Sequence, residues 1–189
     1  MMKNYSWINK PDKFEENEET LEIKTQQNTD MWQKTHYGFS NNNAPMYLTS
    51  SSQKDFVYEV KTEFDSNYLF DQCGIMIYLD EHNWAKFSSE YENDEFQRLG
   101  GVVTKNGYSD WATQDIPATV KSIYYRITRE SNDFVVEYSF DGVDFHQMRI
   151  FNLLFGNKMD EVKVGLYACS PQGKGFTATF KQPHFLSKK

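Results

Sequence analysis

The chain has 189 residues, a formal net charge of −7 and an aromatic content of 16%. Its length suits one domain that buries a substantial core without metals or disulfides. With only 10 Gly and 5 Pro, the composition excludes collagen-like and disordered proteins. The acidic charge argues against nucleic acid as a partner, because proteins that bind phosphate backbones carry a basic surface.

From about residue 20 onward, short runs with period-two alternation are separated by turn residues, which is typical of an all-β sandwich or barrel. Asn106-Gly107 and Asp141-Gly142 predict tight hairpin turns with positive φ at both residues of each pair. Segment 40–45 (SNNNAP) and the basic tail 181–189 are predicted to lie outside strands. One domain is expected over residues 1–189, with its core at about 5–182. The predicted strands are residues 20–25, 56–64, 73–79, 84–91, 99–104, 123–129, 134–140, 162–168 and 176–180.

Alternation along three of these strands separates an aliphatic face from a polar one. In WAKFSSEY (84–91), Trp84, Lys86 and Glu90 share one face. In QCGIMIYL (72–79), Gln72 lies opposite the aliphatic stripe, and Arg126 does so in YYRIT (124–128). Polar and aromatic residues at every second position suit a sheet surface that meets a polar ligand, or one that loops cover.

No run near the N-terminus has the continuous apolar segment of a signal peptide, and none later approaches the ~20 apolar residues of a membrane span. We therefore expect a cytoplasmic protein without membrane contact. Cys73 and Cys169 each lie inside an apolar run, which predicts free buried thiols in a reducing compartment. The four histidines are scattered, and the sequence has no phosphate-binding loop or dinucleotide fingerprint, so neither a metal nor a cofactor is predicted.

Seven short motifs occur in order along the chain: TDMW, YGF, DQCGIMI, WAKFSSEY, VVT followed by SDW, YSFDG and GLYACSP. Together they resemble the regulation-of-enolase family, a group of uncharacterised domains with the concanavalin A-like lectin/glucanase fold. The resemblance spans roughly residues 5 to 182. It implies an all-β, concanavalin A-like jelly-roll sandwich of two antiparallel sheets, one of them concave. The family name also implies a regulatory module that binds a protein partner, which we keep as one alternative function.

The resemblance also implies a site, because related sandwiches bind sugars on the concave face through stacking aromatic rings and polar side chains. On this basis we expect a carbohydrate or similar small polar ligand to be bound without being cleaved. A structural alternative is a buried polar network that holds the sheet together. The residues carried over to the predicted ligand site are Gln72, Trp84, Lys86, Glu90, Asp110, Trp111 and Arg126.

A glycan-active hydrolase or lyase is the other alternative, and it needs two carboxyl groups that flank the scissile bond. Glucanases of this fold place them on one strand as E-x-D-x-E or E-x-D-x-x-E. Here EYENDE offers Glu90 and Glu92 at the first spacing, but Asp94 and Glu95 break the alternation. Glu90 with Asp110 is therefore the predicted catalytic pair if the protein is an enzyme. Glu92, Asp94 and Glu95 are predicted to form an acidic hairpin tip.

Overall fold

A computed structural model describes residues 4–153 and 161–186. These residues form two antiparallel sheets of seven strands each and a separate two-stranded ribbon. The prediction of an all-β jelly-roll sandwich of two antiparallel sheets is confirmed. The described residues include no helix that is long and apolar enough to cross a membrane.

The front sheet carries the candidate site. Its strands, in spatial order, are β1 (Tyr5–Ile8), β6 (Met46–Ser51), β15 (Val162–Cys169), β8 (Gln72–Asp80), β9 (Asn83–Tyr91), β10 (Phe96–Lys105) and β11 (Tyr108–Pro117).

The back sheet contains, in spatial order, β14 (His146–Asn152), β13 (Asp133–Ser139), β12 (Ser122–Glu130), β7 (Asp55–Phe64), β16 (Thr177–Phe185), β3 (Thr20–Lys24) and β2 (Lys13–Glu16). The ribbon consists of β4 (Met31–Gln33) and β5 (Ser40–Asn42).

The main core lies between the two sheets. Its side chains come from the aliphatic faces of the strands, as the alternation predicts: Ile75 and Ile77 of β8 and Ile123 and Ile127 of β12 are fully buried. Because side chains alternate along a strand, the neighbouring residues point to the outer face of each sheet. The outer face of the front sheet is therefore formed by the polar and aromatic positions of β8, β9, β10 and β11.

A second hydrophobic cluster lies on this outer face. Residues 26–45, called the strap below, cross the front sheet and include the β4–β5 ribbon. Met31, Trp32 and Ala44 of the strap are buried against apolar side chains of the sheet. The strap therefore covers part of the face that the sequence predicts to be open to a ligand. The sheet residues of the cluster are Met46, Leu48, Met76, Trp84, Val102, Tyr167 and Cys169.

All nine predicted strands are present, but segment 40–45 and the tail differ from the prediction. Ser40–Asn42 forms β5, because pairing with β4 supplies the strand contacts that its polar sequence does not indicate. β16 continues to Phe185, and a register shift between Lys181 and His184 accommodates Pro183, which has no N–H to donate.

The strands that the sequence did not predict are β1, β2, β4, β5, β6, β11 and β14. Several are short, and β11 and β14 are edge strands whose exposed residues blur the alternation.

One of the two predicted tight turns is confirmed. Asn106 and Gly107 both have positive φ and join β10 to β11. The prediction is wrong for Asp141, since only Gly142 of that pair has positive φ. The Asp141 carboxylate instead accepts hydrogen bonds from the backbone N–H groups of Val143 and Asp144, which stabilises a longer loop.

Candidate functional site

Neighbouring strands of the front sheet bring five predicted site residues to one face: Gln72, Trp84, Lys86, Glu90 and Trp111. Gln72 of β8 pairs with Glu90 of β9, and Lys86 of β9 pairs with Val102 of β10. Val102 in turn pairs with Trp111 of β11. Because paired residues project from the same side of a sheet, these side chains form one continuous surface.

A cavity of about 500 Å³ opens above this surface. The sheet supplies its floor, and the strap and two further loops supply its walls. Its rim reaches solvent, since Tyr37 and Phe39 are exposed. The residues that line it are Asn28, Asp30, Trp32, Tyr37, Phe39, Asn41, Phe70, Lys86, Glu90, Val102, Trp111, Pro171 and Gln172.

The floor is a chain of hydrogen bonds between buried polar groups. Lys86 Nζ donates to Gln72 Oε1 at 2.7 Å, and Tyr167 Oη donates to the same oxygen at 3.1 Å. Gln72 Nε2 donates to Glu90 Oε2 at 2.8 Å. Lys86 Nζ also lies 3.6 Å from Asp30 Oδ1, so the strap contributes a counter-charge to the lysine. Gln72 thus links the lysine to the glutamate and fixes both side chains.

Glu90 has a pKa well above that of an exposed carboxyl group. Burial raises the pKa of Glu90 from 4.5 to about 7, and the negative charges of Asp30 and Glu92 act in the same direction. The positive charges of Lys86 and Arg98 lower the pKa, but by less than burial raises it. Near neutral pH the carboxyl group is therefore present in both forms, and it can donate or accept a hydrogen bond.

Aromatic rings from the strap and from β11 form the walls above the polar floor. The ring centroids of Trp32 and Trp111 lie 6.4 Å apart at an interplanar angle of 79°. The ring centroids of Tyr37 and Trp32 lie 5.4 Å apart, at an interplanar angle of 65°. Arg98 Cζ lies 5.8 Å from the Trp111 ring centroid and supports that ring in place. Such rings offer flat apolar surfaces beside hydrogen-bonding groups.

Trp84 does not reach the cavity, although the alternation places it correctly on the same face as Lys86 and Glu90. Its side chain has 0% exposure and lies in the cluster beneath the strap. The sequence alone does not indicate this cover, because segment 40–45 is predicted to lie outside strands and its polar residues carry no pattern that places it over the sheet. Trp84 therefore packs under the strap, and its ring is not available to a ligand.

Asp110 and Arg126 lie elsewhere. Asp110 neighbours Trp111 and so projects from the opposite face of β11, where its carboxylate accepts a hydrogen bond from Arg149 of β14 at 2.8 Å. Arg126 belongs to β12 of the back sheet and pairs with Glu59 on that sheet's outer face. A polar strand face does not reveal which of the two sheets it belongs to, so the sequence could not separate Arg126 from the site.

The structure adds Asp30, Trp32, Tyr37 and Phe39, which the sequence analysis did not assign to the site. The signal was available, because TDMW and YGF are among the motifs that carry the family resemblance. Both motifs fall on the strap, which positions them over the sheet. Among residues 4–153 and 161–186, no three His, Cys, Asp or Glu side chains are grouped as a metal site requires.

A protein-family model matches residues 7–187, and its family is described as "Protein of unknown function (DUF1349)". The chain belongs to this family. The chain is also similar to Regulation of enolase protein 1 of Saccharomyces cerevisiae, with 28% identity over 94% of this chain and 86% of that protein. The predicted relationship to the regulation-of-enolase family is confirmed.

Solved structures agree with this fold. A functionally unknown protein from Saccharomyces cerevisiae superimposes with a TM-score of 0.89 and 26% identity, over 98% of this chain and 97% of that one. Bacteroides ovatus xyloglucan PUL GH43B superimposes with a TM-score of 0.76 and 15% identity, over 98% of this chain and 37% of that one. At that identity the second likeness shows the fold alone.

Proposed function

We propose that this DUF1349 protein binds a carbohydrate in the cavity on the outer face of its front sheet and does not cleave it. The composition of the cavity supports this ligand class. Trp32, Tyr37 and Trp111 offer ring faces to the apolar side of a sugar, while Lys86 and Glu90 offer a donor and an acceptor to its hydroxyl groups. The volume of about 500 Å³ lies within the range of ligand-binding pockets.

The observation that carries the proposal is a largely buried carboxyl group at the floor of a solvent-accessible cavity. Glu90 has only 8% exposure, and its Oε2 is bound by Gln72. The residue also lines the cavity, so its carboxyl group is fixed by the sheet and still reaches the space above it. A carboxyl group that is held in one orientation at the floor of a pocket can form a directed hydrogen bond to a ligand hydroxyl, and this is the contact that we infer.

The predicted catalytic pair does not support cleavage. Glu90 and Asp110 project from opposite faces of the front sheet, so the two carboxyl groups cannot flank one glycosidic bond. The side chain of Asp110 is 71% exposed and ion-paired, which is an ordinary surface arrangement.

Glycoside cleavage remains a second candidate function, because one specific observation favours it. Asp30 lines the same cavity as Glu90, and the Glu90 pKa of about 7 is suited to a general acid. Under this candidate, Glu90 protonates the leaving oxygen and Asp30 is the second carboxylate. Release of reducing sugar that disappears in Glu90→Gln would establish it in place of simple binding.

A glycan microarray with matched variants tests the proposal. Tyr37 and Tyr108 have almost equal exposure, 57% and 59%, but only Tyr37 lines the cavity. We expect the wild-type protein and Tyr108→Ala to bind the same glycans, and Tyr37→Ala to lose about 1–3 kcal/mol of binding free energy, as expected for a stacking aromatic. Equal binding by the two variants, or no binding of any glycan by the wild type, would contradict the proposal.

A further inference from the structure

The strap forms a wall that crosses the front sheet from the end of β15 to the start of β11. At one end, Gln27 forms a parallel bridge with Ser170, and the Ser170 N–H donates to Thr29 Oγ1 at 3.0 Å. At the other end, the Gln33 N–H donates to Ser109 Oγ at 2.9 Å. Ser170 follows β15 and Ser109 lies in β11, so the strap is fixed to the sheet at both ends.

No passage leads beneath this wall. Met31 and Ala44 have 0% exposure, and Met76 and Trp84 beneath them are also fully buried. The space between the strap and strands β6, β15 and β8 is filled by the second hydrophobic cluster. A ligand that lies across the strands therefore meets a closed side when it reaches the strap.

Two further loops close the cavity along the strand direction. Phe70, Pro171 and Gln172 stand at the end where β8 begins and β15 ends. The Asp71 carboxylate ties these two loops together, because it accepts hydrogen bonds from the Tyr68 N–H at 3.0 Å and from the Ser170 hydroxyl.

The opposite end is closed by the tip of the strap, where Tyr37 and Phe39 line the cavity. This tip is a tight turn, since the Lys34 N–H donates to the Phe39 carbonyl at 2.7 Å and the Gly38 N–H donates to the Lys34 carbonyl at 2.8 Å. The remaining side lies over Trp111 and the edge strand β11, whose residues 112–115 are exposed. The cavity is thus walled on three sides and open toward the sheet edge.

We propose that this blind cavity holds the end of a glycan chain, with the rest of the chain leaving over β11, and that it does not accept an internal segment of a polysaccharide. An internal segment must enter and leave a site, and the strap blocks one of those two paths. This inference rests on the proposed function, because it specifies which part of a carbohydrate the same cavity recognises.

The test compares oligosaccharides that have the same sugar and linkage but differ in length. Xylo-, cello-, manno- and laminari-oligosaccharides from dimer to hexamer are titrated into the full chain by calorimetry, beside their parent polysaccharides. For the series that binds, we expect affinity per molecule to change by less than about tenfold from the dimer to the hexamer, an effect below about 1.4 kcal/mol. The number of protein molecules that a given mass of polysaccharide binds should be proportional to the number of its chain ends. Cleaving the polysaccharide into short fragments should therefore raise that number.

Two variants tie this behaviour to the cavity. Tyr37→Ala should weaken end binding by about 5- to 150-fold, whereas Tyr108→Ala should leave it unchanged. Affinity that grows steadily with length, or one site per fixed number of sugar units along the intact polysaccharide, would overturn the inference but leave the proposed function standing. Absence of binding in every oligosaccharide and polysaccharide series would overturn both.

Discussion

Replacing Glu90 with Gln should stabilise the protein, and increasingly so as the pH rises. Gln has nearly the same shape as Glu, and its side-chain oxygen can still accept the hydrogen bond from Gln72 Nε2. The substitution removes a carboxyl group whose ionised form is disfavoured by burial. The polar floor of the cavity is otherwise kept.

The magnitude follows from the pKa. Burial raises the pKa of Glu90 from 4.5 to about 7, so between these values the folded protein binds a proton that the unfolded chain has released. The free energy of unfolding of the wild type therefore falls as the pH rises through this window. Each tenfold change in proton affinity is worth about 1.4 kcal/mol, which gives a total of about 3 kcal/mol. The Glu90→Gln variant has no carboxyl group at this position, so its free energy of unfolding does not fall in this way. That free energy should equal the wild-type value near pH 4.5 and exceed it by about 3 kcal/mol above pH 7.

Urea denaturation at about pH 5 and at about pH 8 measures this difference in the free energy of unfolding. Glu95→Gln is the control, since Glu95 is exposed in the turn after β9 and its replacement should change stability by less than about 0.5 kcal/mol at either pH. A Glu90→Gln variant that is less stable than the wild type at about pH 8, or a difference that does not depend on pH, would refute the reasoning. Either result would mean that the surrounding groups hold Glu90 in its ionised form.

Three further predictions concern the strap and the buried thiols. Trp84→Ala should lower the free energy of unfolding by about 3–5 kcal/mol, because it leaves a void beneath the strap, and a loss below about 1 kcal/mol would contradict the packing. Ser109→Ala should lower the free energy of unfolding by about 1–3 kcal/mol and speed hydrogen exchange of the Gln33 backbone N–H, because that group loses its acceptor. Unchanged exchange would count against this anchor of the strap. Burial raises the pKa of the Cys73 and Cys169 thiols, so both should react with a thiol reagent only after denaturation, and rapid labelling of the folded protein would be inconsistent with the structure.

The sequence was most informative where one alternating pattern decides both the strand and its faces. WAKFSSEY predicted β9 and placed Lys86 and Glu90 together, because period-two alternation fixes which side chains share a face. The acidic run divides: Glu90 lines the cavity, while Asp94 and Glu95 occupy the hairpin turn, where Asn93 Oδ1 accepts the Glu95 N–H at 2.9 Å. Glu92, which is also predicted to lie in the acidic tip, follows β9 and forms an ion pair with Arg98 at 2.9 Å.

The sequence was least informative where the position of a residue depends on long-range contacts. Arg126 and Glu90 have similar local patterns, but they belong to different sheets. Asp110 differs from Trp111 by one position, and that single step moves it to the other face of the edge strand. The strap is the clearest case. Its tip has no periodic pattern, and its position comes from hydrogen bonds to residues that are distant in sequence, such as the one between Gln33 and Ser109.

The most direct test of the central claim uses the four tryptophans as reporters. Trp32 and Trp111 line the cavity, whereas Trp84 is sealed beneath the strap and Trp7 packs against Tyr47, with ring centroids 4.6 Å apart. In an NMR titration with the glycan that binds best, the indole N–H signals of Trp32 and Trp111 should shift while those of Trp7 and Trp84 stay in place. Saturable shifts confined to Trp7 or Trp84, or no shift in any indole signal, would contradict carbohydrate binding in this cavity.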